Sequence, residues 1–249
     1  MPTPCWVSYV EMVKIAEGKS VLVKTTMENN FCLTAAQLET AITPNTKLLM
    51  LCSPNNPTGS VYSYENLKAI VEVLQRPPQV IVLADEIYQH ILYTGKHETL
   101  AQFPEIEDRL IVINGVSKAY AMTGWRLGYI CAPEPLAMQM LKIHQYAIMC
   151  APTTAQHAAV EALRNGDDAV AAMREEYDMR RRLIVAGFNR IGLACREPKG
   201  AFYAFPCIRS TGLSDEEFCE RLLYAERVAV VPGSAFGRGG GALFGIEQS

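Results

Sequence analysis

The sequence has little that would direct it to a membrane, to nucleic acid or to a cysteine-bound metal. No apolar run approaches the roughly 20 residues that a transmembrane helix needs, and the N-terminus lacks the basic segment and apolar core of a signal peptide. A formal net charge of -3 and a pI of about 5.9 are atypical of proteins that bind nucleic acid or anionic membranes. The eight cysteines form no CxxC pair, which excludes zinc-ribbon and thioredoxin-like motifs.

The sequence does have enough apolar residues for a sizeable core. Of its 249 residues, 49% are hydrophobic and 20% are charged, as in ordinary globular proteins. Cys52, Cys131 and Cys219 lie within apolar segments, so we expect buried free thiols. Free thiols without paired spacing favour a reducing compartment, and we therefore predict a cytoplasmic protein without a metal site.

Short apolar runs and amphipathic helical patterns alternate along the first half of the chain. The helix predicted over Ser63–Leu74 carries its apolar residues on one stripe, and the helix predicted over Thr34–Ala41 begins with a Thr-x-x-Gln capping pattern. Strands that alternate with helices predict an α/β fold in which a mostly parallel sheet has helices on both faces. The predicted strands are Ser20–Thr26, Lys47–Cys52, Val80–Ala84, Leu110–Ile113, which ends in a turn at Asn114 and Gly115, and Leu127–Ala132.

The pattern changes after Pro135. Two later segments, at 194–208 and 227–234, are predicted strands of a smaller α+β unit. We therefore predict a large domain over residues 1–172 and part of a small C-terminal domain over residues 173–249. Between Pro135 and the first of these strands, helical patterns cover Leu136–Met149, Thr154–Arg164 and Ala169–Ile191.

Three successive predicted strands end in reactive side chains. Asn56 follows the first, Asp85 and Tyr88 follow the second, and Ser117 and Lys118 follow the third. The successive steps are about 30 residues, which is the length of one βαβ crossover. Because ligands bind outside the carboxyl ends of parallel strands, we expect an amide, a carboxylate, a phenol and an amine to meet at one edge of the sheet.

Each of these residues also has an ordinary structural explanation. Asn56 could form a turn, Asp85 could cap the following segment, and Tyr88 could belong to the core. Lys118 could be a solvated loop lysine. Together, however, they match the needs of pyridoxal phosphate chemistry, in which an amine carries the cofactor and a carboxylate faces its pyridine nitrogen.

Three motifs in the chain resemble a known family. The segments SPNNPTG at 53–59, DEIY at 85–88 and SKAYAMTGWRLGY at 117–129 are together similar to fold-type I, class I and II aminotransferases. The nearest resemblance is to the bacterial-type aspartate and aromatic aminotransferase branch, to which PTPCWVSYVEMV at 2–13 and VVPGSAFG at 230–237 are also similar. The resemblance implies a cytoplasmic homodimer that transfers an amino group between an amino acid, aspartate or aromatic, and a 2-oxo acid.

The resemblance also implies roles for individual residues. Lys118 would form the Schiff base with pyridoxal 5'-phosphate and then shuttle a proton, and Asp85 would pair with the pyridinium nitrogen. Tyr88 and Asn56 would bond the phenolate oxygen of the cofactor. The remaining contacts would come from Ser117 and Arg126 at the phosphate and from Trp6, which would stack on the cofactor ring.

The sequence departs from the family pattern near both ends. The segment that in the family precedes Pro2 supplies a phosphate-binding loop and a tyrosine for the partner's site, and neither is found. The family's carboxylate-binding arginine would fall at Gly245, while Arg238 lies before the last glycines. The chain therefore looks truncated, and we expect weak or no activity. Other pyridoxal phosphate enzymes (a β-lyase, racemase or decarboxylase) and a non-catalytic remnant remain alternatives.

Overall fold

The chain folds into strands that form three sheets, described by a computed structural model for residues 1–237 and 240–247. The first sheet is the parallel pair β1–β2, the second has the order β3-β4-β5-β6, and the third has the order β7-β9-β8. The strands are β1 (Pro2–Thr3), β2 (Val23–Lys24), β3 (Leu48–Cys52), β4 (Ile81–Asp85), β5 (Leu110–Gly115), β6 (Gly128–Cys131), β7 (Tyr203–Ala204), β8 (Val231–Pro232) and β9 (Phe244–Glu247).

Helices α2 to α6 fall where the sequence patterns predict them, with shifts of one or two residues at most ends, whereas α1 and α7 were not predicted. Within residues 1–237 and 240–247, none of the helices has both the length and the apolar character needed to cross a bilayer. They are α1 (Ser8–Ile15), α2 (Ala35–Ala41), α3 (Tyr64–Leu74), α4 (Glu134–Ala147), α5 (Thr153–Asn165), α6 (Asp167–Arg190) and α7 (Asp215–Glu226).

The second sheet confirms the predicted α/β fold with a mostly parallel sheet. Strands β3, β4 and β5 run parallel, in a register that places Cys52 beside Asp85 and Asp85 beside Ile113. Strand β6 is antiparallel to β5, because the short connection between them contains no crossover helix. The three parallel strands therefore end at one edge, as the sequence predicts.

Helix α3 covers one face of this sheet. Ser63 caps its first turn by accepting a hydrogen bond from the backbone N–H of Asn66, and the Asn66 side chain completes the capping box. The predicted stripe is buried, and it packs with sheet residues in one cluster whose members from α3 include Leu67, Ile70, Val71 and Leu74. The opposite face is covered near β3 by Tyr9 of α1, which packs with Cys5 and Cys52.

Two predicted boundaries are wrong, both for reasons of pairing. The alternating segment Ser20–Thr26 is a strand only over Val23–Lys24, because its partner β1 offers two residues. The predicted turn at Asn114 and Gly115 is instead the end of β5, which pairs with β6. Gly115 faces Gly128 so closely that a Cβ there would lie 2.9 Å from the Gly128 Cα, so a side chain would open this pair.

The C-terminal unit is smaller than the first. It contains α7 and the sheet β7-β9-β8, and its predicted strand at 227–234 reduces to Val231–Pro232. The predicted division at residues 172 and 173 falls inside the continuous helix α6. The division of the chain into two domains at that boundary therefore remains a prediction.

One edge of the second sheet is open. All four residues of β6 are exposed, so Cys131 is an exposed thiol and the prediction that it is buried is wrong. The neighbouring helix α4 has no buried residue within the part of the chain that the structure describes. Its apolar side chains Leu141, Ile143 and Tyr146 are also exposed.

Arg181 ties α6 to the segment that precedes β7. Its guanidinium donates to Asp178 at 2.5 and 2.8 Å and to the carbonyl of Pro198 at 3.2 Å, and it pairs with Glu197. The guanidinium carbon lies 4.7 Å from the centre of the Tyr93 ring. Because Arg181 is only 5% exposed, this charge is stable only with these partners.

We expect Arg181→Met to lower the free energy of unfolding by about 2 kcal/mol, because it removes the charge-assisted hydrogen bonds to Asp178 and leaves the buried Pro198 carbonyl without its donor. Arg174→Met on the exposed side of α6 is the matched control, with an expected change within about 0.5 kcal/mol. Urea unfolding followed by circular dichroism measures both. Equal midpoints for the two variants would show that Arg181 adds no net stability.

Candidate active site

A cleft of about 760 Å³ opens at the carboxyl ends of β3, β4 and β5. Side chains from α1, the central strands and the C-terminal unit line it together. The structure places all seven residues singled out from the sequence on this cleft, while the roles assigned to them stay predictions. They are Trp6, Asn56, Asp85, Tyr88, Ser117, Lys118 and Arg126.

Asp85 is the last residue of β4 and is held by two hydrogen bonds. Its Oδ2 accepts from the hydroxyl of Tyr9 at 2.5 Å, and its Oδ1 accepts from the backbone N–H of Ile87 at 3.2 Å. The second bond is the capping contact considered from the sequence, so Asp85 both ends its strand and faces the cleft. Burial raises the pKa of the Asp85 carboxyl above its ordinary value of 3.8, and the two hydrogen bonds oppose that effect only in part.

This raised pKa predicts a stability cost at neutral pH. A carboxyl whose pKa is higher in the folded than in the unfolded chain stabilises the fold below about pH 3.8, and that contribution is lost as the pH rises through the folded pKa. Asp85→Asn removes the charge, so we expect its unfolding free energy relative to wild type to increase from acidic to neutral pH. Urea titrations of both proteins across that range measure the difference. A difference that does not change with pH would contradict a raised pKa.

Lys118 stands three residues beyond β5 and is partly buried. Its Nζ lies 5.9 Å from the centre of the Tyr88 ring and 5.5 Å from that of Phe202. Within the described part of the chain, no carboxylate pairs with this Nζ. The amine is therefore surrounded by aromatic faces and is not neutralised by an acid, which suits a group that must react with a ligand.

Three polar side chains meet on the side of the cleft next to the C-terminal unit. The hydroxyls of Tyr88 and Tyr203 lie 2.6 Å apart, and the Asn56 amide donates to the Tyr203 hydroxyl at 3.2 Å. Burial raises the pKa of both phenols, so both remain protonated at neutral pH. The cluster can therefore donate hydrogen bonds to an oxygen anion of a ligand.

The connection between β5 and β6 brings Ser117 and Arg126 to the cleft. Thr123 bonds both ends of this connection. The Thr123 hydroxyl donates to the Ser117 carbonyl at 2.9 Å, and the Thr123 carbonyl accepts from Arg126 Nη1 at 2.9 Å. Arg126 has a left-handed backbone with φ of 56°. Its exposed guanidinium has further donors, and a planar set of donors beside a hydroxyl suits a phosphate group.

Trp6 lies just before α1 and is 37% exposed. Its ring meets the Tyr9 ring at an interplanar angle of 87°, with 5.3 Å between the centres. The edge contact fixes the indole beside Asp85, because Tyr9 is hydrogen-bonded to that carboxylate. An aromatic ring held in this way is suited to pack against a flat ligand.

Sequence reasoning did not single out Tyr9 and Tyr203, whose hydroxyls bond the predicted residues Asp85 and Tyr88. Tyr9 follows Trp6 by three residues, and that helical spacing of two aromatic residues was a usable signal. Tyr203 had none, because it reaches Tyr88 across 115 residues. The structure also places Gly245 and Glu247 of β9 on the cleft, whereas Arg238 lies outside the described residues.

Comparison with known proteins finds extended similarity. Residues 1–243 match the family described as aminotransferase class I and II. The chain is 45% identical over 243 residues to an aspartate aminotransferase of Pyrococcus abyssi, covering 96% of this chain and 62% of that protein. It is also similar to the crystal structure of an aromatic aminotransferase from Pyrococcus horikoshii, with a TM-score of 0.96 and 42% identity over 99% of this chain and 67% of that one. A Rhizobium meliloti aspartate aminotransferase structure gives a TM-score of 0.92 and 43% identity, covering 99% of this chain and 64% of that one.

Proposed function

This chain belongs to the class I and II aminotransferase family, and from that premise we propose that its cleft binds pyridoxal 5'-phosphate and serves amino-group transfer. The proposed substrates are an amino acid, with aspartate or an aromatic amino acid favoured, and a 2-oxo acid. The observation that supports this most directly is the position of Lys118 and Asp85. An amine that pairs with no carboxylate of the described residues and a partly buried carboxylate lie on one cleft at the ends of neighbouring strands.

The residues present fit this cofactor. The volume of about 760 Å³ lies in the range of small-molecule sites. Arg126 and Ser117 offer donors for the phosphate, and Tyr88 and Asn56 offer donors for the phenolate oxygen. Asp85, held by its hydrogen bond from Tyr9, is the group for the ring nitrogen.

Pyridoxal phosphate, when bound, supplies an electron sink for the bonds at the α-carbon of the substrate. In our proposal, Asp85 keeps the ring nitrogen protonated by presenting a carboxylate to it. The Lys118 Nζ carries the cofactor and moves a proton at the substrate α-carbon. The rings of Tyr88 and Phe202 lie beside the amine and cover part of it.

The chain spans 62% of the length of the aspartate aminotransferase of Pyrococcus abyssi, so the activity of a whole enzyme is part of the proposal. Assembly with a second copy of the chain and a cytoplasmic location belong to it as well. The substrates named for the relatives, aspartate and aromatic amino acids, support the proposed substrate class.

A titration of the purified chain with pyridoxal 5'-phosphate tests the proposal. We expect a visible absorbance band that saturates at one cofactor per chain and an adduct that borohydride fixes on a single peptide. Mass spectrometry should place that adduct in the peptide that contains Lys118. No saturable band, or adducts spread over many lysines, would refute a built cofactor site.

A further inference from the structure

Tyr9 is buried and locked in place beneath the cleft. Its side chain is 5% exposed and packs in a cluster with Cys5, Met50 and Cys52. Its ring is also held by the edge contact with Trp6. A phenol fixed by so many neighbours has one position for its hydroxyl, and that hydroxyl donates to Asp85 Oδ2 at 2.5 Å.

The Tyr9 hydroxyl is the side-chain contact that connects the Asp85 carboxylate to another element. The second hydrogen bond comes from the Ile87 backbone N–H, which belongs to the turn that Asp85 itself begins. Because this donor and Asp85 belong to the same turn, the bond does not connect the carboxylate to another element. The Tyr9 bond joins α1 to the end of β4 across 76 residues. The direction of the carboxylate therefore depends on Tyr9.

We propose that Tyr9 is a positioning residue that holds the Asp85 carboxylate ionised and aimed into the cleft. The proposal rests on the function proposed above and deepens it, because it identifies what keeps the acid in the required state. The proposed role acts through Asp85 and requires no contact between Tyr9 and the substrate.

The charges around Asp85 support this role. The groups that face it are Tyr9 from α1, Cys52 from β3, Glu86 from its own turn, and Lys118, which lines the same cleft. Burial raises the pKa of Asp85, Glu86 adds to that rise, and the Tyr9 hydrogen bond is the largest effect in the opposite direction. Tyr9 remains a donor throughout, because burial raises its own pKa well above the ordinary value.

Tyr9→Phe removes the hydroxyl and keeps the ring. Tyr62→Phe is the matched control, because Tyr62 is equally buried and its hydroxyl bonds the Leu33 backbone in the core, at 2.8 Å. We expect Tyr9→Phe to weaken pyridoxal 5'-phosphate binding at neutral pH about tenfold, from the loss of one charge-assisted hydrogen bond. The midpoint of the affinity against pH should also move to higher pH, which a loss of packing alone would not produce. The control should leave the midpoint in place.

A second measurement needs no cofactor and separates this inference from the proposed function. The pH dependence of the unfolding free energy should also shift to higher pH in Tyr9→Phe, and the shift should vanish when Asp85→Asn is added. That result supports the inference even if pyridoxal phosphate does not bind. Unchanged pH midpoints in Tyr9→Phe, or a shift that persists with Asp85→Asn, would overturn it even if the cofactor binds well.

Discussion

Lys118→Ala is expected to abolish the borohydride-reducible adduct with pyridoxal 5'-phosphate completely. The reason is position: the Lys118 amine lines the cleft beside Tyr88 and Phe202, and within residues 1–237 and 240–247 it is the only lysine that does so. The measurement is mass spectrometry of the reduced and digested chain.

The fold should survive this substitution. The Lys118 Nζ forms no ion pair within the described residues, and it lies near the Tyr88 and Phe202 rings. Thermal unfolding of the variant checks this. Lys142→Ala on the exposed helix α4 is the control, and it should keep the full adduct. An adduct of normal yield in Lys118→Ala would place the reactive amine elsewhere.

The second large effect concerns the substrate carboxylate, and we expect the chain as given to transaminate poorly. Arg126 is the only arginine on the cleft among the described residues, and in our proposal it serves the phosphate. A charge-assisted hydrogen bond contributes roughly 1.5–3 kcal/mol, and a bidentate arginine makes two. Their absence should weaken substrate binding by at least about tenfold. Turnover close to an ordinary rate of ~10 per second would contradict this.

Installing a guanidinium at Gly245 should recover activity. Gly245 lines the cleft, and a Cβ there would lie 2.9 Å from Cε2 of Phe236, so that ring must shift slightly. Glu247 lies two residues further along β9, on the same face of the strand. Its carboxylate would pair with the new guanidinium and cancel its charge. We therefore expect Gly245→Arg with Glu247→Ser to raise kcat/KM about tenfold or more, and Gly245→Arg alone to raise it less.

The control for this pair is Gly241→Arg. A Cβ at Gly241 meets no atom within 4 Å, and Gly241 does not line the cleft, so the same charge is added without access to substrate. Steady-state assays with aspartate or an aromatic amino acid and 2-oxoglutarate compare the variants. Equal kcat/KM for Gly241→Arg and the double variant would show that the position of the guanidinium does not matter.

The parts of the fold that were predictable depend on local patterns. The Thr34 cap of α2 and the apolar stripe of α3 depend on residues close together in sequence, and each is found as predicted. The convergence of Asn56, Asp85 and Lys118 also followed from sequence, because parallel strands separated by one crossover must end at the same edge.

The parts that were not predictable depend on partners distant in sequence. The bonds from Tyr9 to Asp85 and from Tyr203 to Tyr88 span 76 and 115 residues. The spacing of Trp6 and Tyr9 could indicate that these two rings lie together, but no local pattern predicts either hydrogen-bond partner. The alternation of Ser20–Thr26 favours a strand, but its neighbour pairs with two residues only. Burial of Cys131 was inferred from an apolar run, and it fails because, among residues 1–237 and 240–247, no strand pairs with β6 on its outer side.

That outer side of β6 has a consequence for the chain in solution. An edge strand without a partner presents a row of free backbone N–H and C=O groups. Strands of other chains can pair with such an edge, and the chains then associate. Tyr129 and Ile130 add exposed apolar surface to it, and the Cys131 thiol stands at its end. Light scattering of the purified chain should therefore rise with protein concentration, and under oxidising conditions intermolecular disulfides should form through Cys131.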